Sequence, residues 1–128
     1  MDILLDTQAF LWLSSNNTQL TKTAKKTFLD DKNNFFLSMA SMWEMSIKCS
    51  LNKLKLRPSL ERFLLNELQE NSLEQLAITF QHVIKVTSLP FHHRDPFDRL
   101  LIAQALVEDM PILSSDTIFD SYSIKRIW

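Results

Sequence analysis

Four acidic side chains in this sequence could act together in catalysis: Asp6, Glu44, Asp98 and Asp116. Asp6 follows a short apolar run directly, and Asp116 follows another in the run Ser114-Ser115-Asp116, whereas Glu44 and Asp98 fall in segments with helical patterns. No basic residue that would be buried beside Asp6, Asp98 or Asp116 is evident. Because Mg²⁺ and Mn²⁺ prefer oxygen ligands, four converging carboxylates would be typical of a divalent-metal site.

Each acid also has an ordinary structural interpretation, which the residues alone leave open. Asp6 and Asp116 could cap the helix or turn that follows each of them. Asp98, in a first helical turn, would complement the helix dipole. Glu44 lies four residues before Lys48, which is the spacing of an exposed helical ion pair.

The composition excludes several other kinds of site. The chain has 128 residues and no glycine, although average usage of roughly 7% would give about nine. The Walker phosphate loop and the Rossmann fingerprint are excluded, because both need backbone without a Cβ against a phosphate. Phosphate chemistry would therefore depend on metal ions or side chains. The single cysteine, Cys49, excludes an internal disulfide and a CxxC zinc site.

Nothing in the sequence predicts a membrane span or a secretory signal. The longest apolar stretches, such as residues 9–13, are far shorter than the ~20 residues that span a bilayer. The N-terminus lacks a basic region followed by a long apolar one. We therefore expect a cytoplasmic protein with no membrane partner.

The net charge of −1 conceals a local excess of basic residues. Lys48, Lys53, Lys55 and Arg57 lie in a segment, residues 48–57, that contains no acid. A solvated face is the simplest interpretation of this basic segment. The pattern also permits an acidic site bordered by positive charge.

Short apolar runs alternate with helical patterns along the chain. The runs predict strands at residues 3–5, 35–37, 111–113 and 124–128. Helical patterns lie at residues 9–13, 22–28, 39–51, 81–86 and 96–107 and after residue 59, and residues 72–75 fit a capping box. This alternation predicts an α/β fold, a three-layer α/β/α sandwich with a mainly parallel central sheet. Ligands in such folds bind beyond the carboxyl ends of the strands, where Asp6 and Asp116 stand.

The run Asp95-Pro96-Phe97-Asp98 predicts the start of the last long helix. Asp95 fits the N-cap position and Pro96 the first helical position, so we interpret Asp95 as structural. The following stretch is apolar on nearly every side except at Gln104, which indicates a deeply buried helix.

Three segments together resemble PIN-domain proteins: MDILLDTQAFLW, LSMASMWEMSIKCSLNKLKL and LPFHHRDPFDRLLIAQALVEDMPILSSD. More narrowly, the LLDT start and the HRDPFDRLLIAQA block are similar to those of VapC-type toxins of bacterial toxin–antitoxin pairs. The resemblance covers essentially the whole chain, so we expect residues 1–128 to form a single PIN domain.

The resemblance implies a Mg²⁺- or Mn²⁺-dependent endoribonuclease that cleaves cellular RNA such as tRNA. Its acidic quartet would be Asp6, Glu44, Asp98 and Asp116, with Asp6 and Asp98 binding the metal directly. Ser114 matches a small hydroxyl residue that orients a carboxylate or a water. A homodimer and a cognate VapB-like antitoxin are also implied. We expect RNA contacts from Lys48, Lys53, Lys55, Arg57 and Arg99.

Two positions depart from the resembled pattern. Gln8 stands where the subgroup usually has histidine, and Asn52-Lys53-Leu54 stands where it has Gly-Lys-Leu. Neither departure involves the four acids. They bear on substrate positioning and on the shape of the loop around Lys53.

Several other side chains have alternative interpretations. His92 and His93 could bind a metal, but an oxygen-rich site does not require imidazole. Arg94 and Arg99 could hold phosphate or balance the acids. The three tryptophans could stack on bases. Trp43, however, belongs to a stripe at every fourth position, which favours packing in the core or at an interface. The members of this stripe are Met39, Trp43, Ile47 and Leu51.

Two other functions remain as alternatives to an active nuclease. A catalytically idle PIN scaffold would bind RNA or a partner without cleaving. A regulatory phosphoacceptor domain would also gather acids around Mg²⁺ at strand ends, but it would need a lysine after Leu113 that is not evident.

Overall fold

Five parallel strands form the central sheet of the computed structural model, which describes all 128 residues. The strands are β1 (Asp2–Leu5), β2 (Asn34–Ser38), β3 (Glu74–Leu76), β4 (Ile112–Leu113) and β5 (Arg126–Ile127). Their spatial order is β3-β2-β1-β4-β5. The chain adds β2 and β3 on one side of β1 and then adds β4 and β5 on the other side. The carboxyl ends of β1 and β4 therefore border the crevice in which open α/β sheets bind ligands.

Six α-helices and one short 3-10 helix (Thr117–Ser121) surround this sheet. The α-helices are α1 (Thr7–Ser15), α2 (Lys22–Leu29), α3 (Met39–Ser50), α4 (Leu60–Glu70), α5 (Phe80–Val86) and α6 (Pro96–Glu108). The predicted α/β fold with a parallel sheet is confirmed. None of the helices combines the length with the apolar composition that a membrane span requires.

Alternate residues of β1 enter two core clusters, one on each face of the sheet. Ile3 and Leu5 pack with residues that include Phe10 of α1, whereas Leu4 packs with residues that include Leu101 of α6. All three strand residues are fully buried. This alternation produces the three layers, because each face of the central strand requires its own cover of helices.

Residues 72–75 do not start a helix, so the capping-box prediction there is wrong. Ser72 ends the α4 segment with a left-handed backbone (φ 51°), and Glu74–Leu76 forms the edge strand β3. The strand pairs with β2, with Gln75 opposite Leu37. Because β3 is short and mostly exposed, it carries no apolar alternation that could have predicted it.

The apolar stripe on α3 lies on the exposed face of that helix. Trp43 is 58% exposed and packs edge to face against Phe97, with ring centroids 5.1 Å apart. The buried face carries Ala40, Ser41 and Met45 instead. Ala40 and Ser41 let that face of α3 approach its neighbours closely. Because Trp43 is exposed, core packing of its ring is excluded and a role at an interface remains.

Left-handed backbone occurs at four residues of this glycine-free chain: Asn16, Asn52, Ser72 and Asp109. Asn52 (φ 57°) stands where the resembled pattern has glycine. Asparagine tolerates this conformation better than most residues that carry a Cβ. The loop after α3 therefore has a backbone conformation that glycine would also adopt readily.

Candidate metal centre

All four predicted acids line one cavity of about 250 Å³ at the carboxyl ends of β1 and β4. Each acid comes from a different element: Asp6 follows β1, Glu44 lies on α3, Asp98 lies on α6 and Asp116 follows β4. The only basic side chain among the residues that line this cavity is Lys48. The fold thus concentrates carboxylates that are separated by as much as 110 residues in the chain.

Asp6 both caps α1 and faces the cavity. Its Oδ1 accepts a hydrogen bond from the backbone N–H of Ala9 (2.8 Å), and its Oδ2 accepts one from the hydroxyl of Ser114 (2.6 Å). Burial raises the pKa of Asp6, although the hydrogen bond from Ser114 opposes that effect. The cap and the site are therefore compatible uses of one carboxylate, held in a single orientation.

Asp116 is connected to Asp6 through Ser114. The backbone N–H of Asp116 donates to Ser114 Oγ (3.0 Å), while the hydroxyl of Ser114 donates to Asp6. Asp116 Oδ1 accepts from the N–H of Ile118 (3.0 Å) at the start of the 3-10 helix. Ser114, which is fully buried, thus orients a carboxylate and holds the loop that carries the next one.

Asp98 lies in the first turn of α6, and its carboxylate is not used to cap the helix. Asp95 is the N-cap, and its Oδ1 accepts from the N–H groups of Phe97 (2.9 Å) and Asp98 (3.0 Å). Burial raises the pKa of Asp98 to about 7, with smaller contributions from the charges of Asp95 and Asp6.

Glu44 combines the two interpretations that its sequence position allowed. Its Oε2 lies 2.9 Å from Nζ of Lys48, one turn later on α3. Glu44 also lines the cavity of the other acids. The Lys48 side chain is about half exposed, so the pair lies at the mouth of the cavity.

His93 is the residue of this centre that the sequence analysis set aside. Its Nε2 lies 3.1 Å from Asp98 Oδ2 and 3.1 Å from Asp116 Oδ2. The pattern offered a weak signal, because His93 stands two residues before the Asp95 cap in the block that carries the resemblance. The preference of Mg²⁺ for oxygen ligands does not indicate that the imidazole would contact two of the acids.

The donor set fits a divalent cation. Carboxylate oxygens of Asp98 and Asp116 lie within 4.8 Å of each other, and Asp6 and Glu44 face the same cavity. Burial and neighbouring carboxylates raise the pKa of Asp98, which shows that the chain itself leaves negative charge there poorly compensated. A bound Mg²⁺ or Mn²⁺ would offset that charge.

Arg99 does not reach this cavity, and its burial contradicts the expectation that it contacts RNA. The residue is only 6% exposed, and its guanidinium lies 4.0 Å above the ring of Phe91. It donates hydrogen bonds to the backbone carbonyls of Val86, Leu89, Pro90 and His93. Arg99 thus supplies hydrogen-bond donors to carbonyls of a segment that lies mostly outside strands and helices.

A larger groove of about 660 Å³ adjoins the acidic cavity. The two share Gln8, Leu11 and Lys48. The predicted basic residues Lys48, Lys53, Lys55 and Arg57 all line this groove, together with Trp12. The basic segment is therefore continuous with the acidic site.

A family model described as the PIN domain matches residues 3–125 of the chain. No curated protein sequence matches significantly.

Several solved structures share the fold. A chain of VapBC2 from Rickettsia felis, bound to a promoter DNA fragment, is similar with a TM-score of 0.74 and 14% identity over 100% of both chains. A chain of DNA-bound VapBC from Salmonella typhimurium has a TM-score of 0.70 and 15% identity over 98% of this chain and 96% of its own. FitAcB from Neisseria gonorrhoeae has a TM-score of 0.66 and 16% identity, with 97% and 95% covered. At these identities the likeness shows a common fold.

Proposed function

The chain belongs to the PIN-domain family, and from that premise we propose that it is a metal-dependent endoribonuclease, the toxin of a VapBC-type toxin–antitoxin pair. The observation that supports this most directly is the convergence of Asp6, Glu44, Asp98 and Asp116 in one cavity. The structural neighbours add support, since they come from VapBC and FitAB complexes.

In this proposal, Asp6 and Asp98 would hold the metal directly, and Glu44 and Asp116 would bind it or its waters. When bound, Mg²⁺ or Mn²⁺ would lower the pKa of water and offset negative charge on the phosphate. The protein holds the carboxylates in place: Ser114 and the Ala9 N–H orient Asp6, and the Ile118 N–H orients Asp116. Hydrolysis by water requires no nucleophile from the chain.

The cleavage reaction is the direct test of this function. The purified protein should cut RNA in the presence of Mg²⁺ or Mn²⁺ and should stop cutting when EDTA removes the metal, because water activation depends on the ion. Gel analysis of a 5′-labelled cellular RNA pool, including tRNA, would show the products. Cleavage that persists in excess EDTA would overturn the mechanism. Binding without cleavage under every metal condition would leave the protein as an idle scaffold.

The groove lined by the basic segment is the proposed path of the RNA backbone. Lys53, Lys55 and Arg57 are exposed and line the groove that adjoins the acidic cavity. A phosphate chain lying there would follow the positive charge to the metal site. Arg99 is no longer part of this proposed contact surface, because its guanidinium is buried against carbonyls.

Replacing Lys53, Lys55 and Arg57 together by glutamine should weaken RNA binding and flatten its dependence on salt. Each lost phosphate contact reduces the slope of log K against log [salt] by about 0.7 for single-stranded nucleic acid, so the slope should fall by up to ~2. Fluorescence anisotropy of labelled RNA would measure this slope, in the presence of EDTA to prevent cleavage.

The matched control for this triple variant removes the same charge elsewhere. Lys22, Lys25 and Lys26 form an exposed cluster on α2, away from the lining of both cavities. Their replacement by glutamine should leave the slope much closer to that of the parent. Equal slopes for the two triple variants would show that the basic segment is only a solvated face.

The proposed partners are a VapB-like antitoxin and a second copy of this chain, in the cytoplasm. The exposed stripe on α3, with Met39 and Trp43, supports the homodimer because large apolar side chains at the surface mark interfaces. The antitoxin would keep the nuclease silent.

A further inference from the structure

The His93 ring is set in one tautomer by the backbone around it. The N–H of Asp95 lies 3.2 Å from Nδ1 of His93. A backbone amide can only donate, so Nδ1 must accept and cannot carry a proton. The proton of the neutral ring is therefore on Nε2.

The protonated Nε2 faces two acids of the metal centre. Asp116 Oδ2 lies 3.1 Å away, in hydrogen-bonding geometry. Asp98 Oδ2 lies at the same distance as a close polar contact. A histidine that binds a metal has the opposite arrangement: its bare nitrogen binds the ion and its other N–H donates to a carbonyl or a carboxylate. In His93 the nitrogen remote from the acids, Nδ1, accepts a hydrogen bond from the N–H of Asp95 instead of donating one.

We propose that His93 is a positioning residue whose Nε2–H bridges the Asp98 and Asp116 carboxylates, and that it is not itself a metal ligand. Asp98 lies on α6 and Asp116 follows β4, so the bridge sets the separation of two acids on independent elements. A shared N–H draws two like charges together before any cation is present. The proposal rests on the metal site of the proposed function.

The chain segment before α6 is built to hold this ring. The N–H of His93 donates to the phenolic oxygen of Tyr122 (2.9 Å), whose own hydroxyl donates to the carbonyl of Pro90 (2.7 Å). Arg99 Nη1 donates to the carbonyl of His93 (3.2 Å). The ring packs against Phe119, with centroids 5.7 Å apart. Contacts to backbone and ring together restrict His93 to the orientation in which Nε2 faces the acids.

The tautomer can be read directly by NMR. In a ¹⁵N-histidine sample of the full chain, long-range ¹H–¹⁵N spectra distinguish a protonated ring nitrogen from a bare one, and the spectrum of a His93→Gln variant assigns the His93 signals. We expect the Nε2–H tautomer in the metal-free protein and again with saturating Mg²⁺, which is diamagnetic. An Nδ1–H ring with a bare Nε2 would overturn the bridge.

Metal affinity supplies the second measurement, by calorimetric titration with Mg²⁺ and with Mn²⁺. His93→Ala should weaken the affinity for Mg²⁺ and the affinity for Mn²⁺ by a similar factor, about tenfold. Residues that orient metal ligands typically contribute 10–100-fold to metal affinity. His93→Gln should recover much of the loss, since its amide N–H can still donate to the carboxylates. His92→Ala is the matched control, because His92 contacts Tyr122 rather than the acids.

If His93 were a metal ligand, the same titrations would give a different result. Imidazole binds Mn²⁺ more favourably than Mg²⁺, so His93→Ala would then weaken Mn²⁺ binding selectively and glutamine would not restore it. That outcome would overturn the proposal. If the parent protein binds neither ion, the proposed nuclease function fails, while the NMR tautomer of the metal-free protein still decides whether the bridge exists.

Discussion

Asp6→Asn should abolish RNA cleavage and relieve the growth arrest that the parent protein is expected to cause when it is expressed without a partner. The substitution keeps the shape of the side chain and its ability to cap α1, but it removes a charge from the proposed metal ligand. Losing a residue that only orients a ligand costs 10–100-fold, so losing the ligand should cost more than about 100-fold. Asp98→Asn should have the same effect.

Growth curves after induction and single-turnover cleavage of labelled RNA would measure this effect. Asp95→Asn is the matched control: the same chemical change, three residues before Asp98, at a carboxylate that serves as an N-cap. Asparagine caps helices about as well as aspartate, so this variant should arrest growth like the parent. An Asp6→Asn protein as toxic as the parent would show that metal-dependent cleavage is not the cause of arrest.

Asp98→Asn should also stabilise the metal-free protein at pH 7.5 and abolish its response to Mg²⁺. Burial and neighbouring charges raise the pKa of Asp98 to about 7, so ionising it in the folded state has a cost. Two unit charges ~4 Å apart at an effective dielectric of ~20 repel by about 4 kcal/mol. Solvent and partial protonation reduce this, so we expect a gain of roughly 1–3 kcal/mol on neutralisation.

The sign of the pH dependence follows from the raised pKa. A carboxyl group whose pKa is higher in the folded state than in the unfolded state contributes to the free energy of folding. The contribution is complete when the pH is below the unfolded pKa of about 3.9. That contribution is lost as the pH rises through the folded value of about 7. The stability advantage of Asp98→Asn over the parent should therefore be small at pH 4–5 and should grow towards pH 8.

Thermal unfolding of both proteins, with and without millimolar Mg²⁺, decides between a metal site and independent caps. Mg²⁺ should raise the Tm of the parent, because an ion that binds only the folded state stabilises it. If Asp98 acted only as a favourable helix-terminal charge, its loss would lower the Tm and Mg²⁺ would have no effect. A parent indifferent to Mg²⁺ and Mn²⁺, beside a destabilised Asp98→Asn, would contradict the metal site.

The features that local patterns encode were predictable. Asp95 and Pro96 start α6 where the sequence indicated, because an N-cap side chain and a fixed proline φ act within one helical turn. The apolar runs before Asp6 and Asp116 became strands for a similar reason: each is a short buried segment ended by polar residues. Parallel strands then place their carboxyl ends at one edge, which brings these two acids together.

Other features depend on contacts between residues far apart in the chain, which no local pattern records. Arg99 is buried because the carbonyls of residues 86–93 fold around its guanidinium. Trp43 faces outward because smaller side chains let the other face of α3 pack closely. The edge strand β3 exists through its hydrogen bonds to β2 rather than through its own composition.

The sequence by itself determined which residue types could form the site and which elements would carry them, because capping, strand burial and helix periodicity are properties of a few consecutive residues. Only the tertiary structure decided that His93 contacts Asp98 and Asp116. That contact requires Asp95, Tyr122 and the end of β4 to meet around one imidazole ring. The geometry of this contact depends on the packing of segments that are distant in the chain. The free energy that stabilises the contact comes from many interactions that exist only in the folded protein.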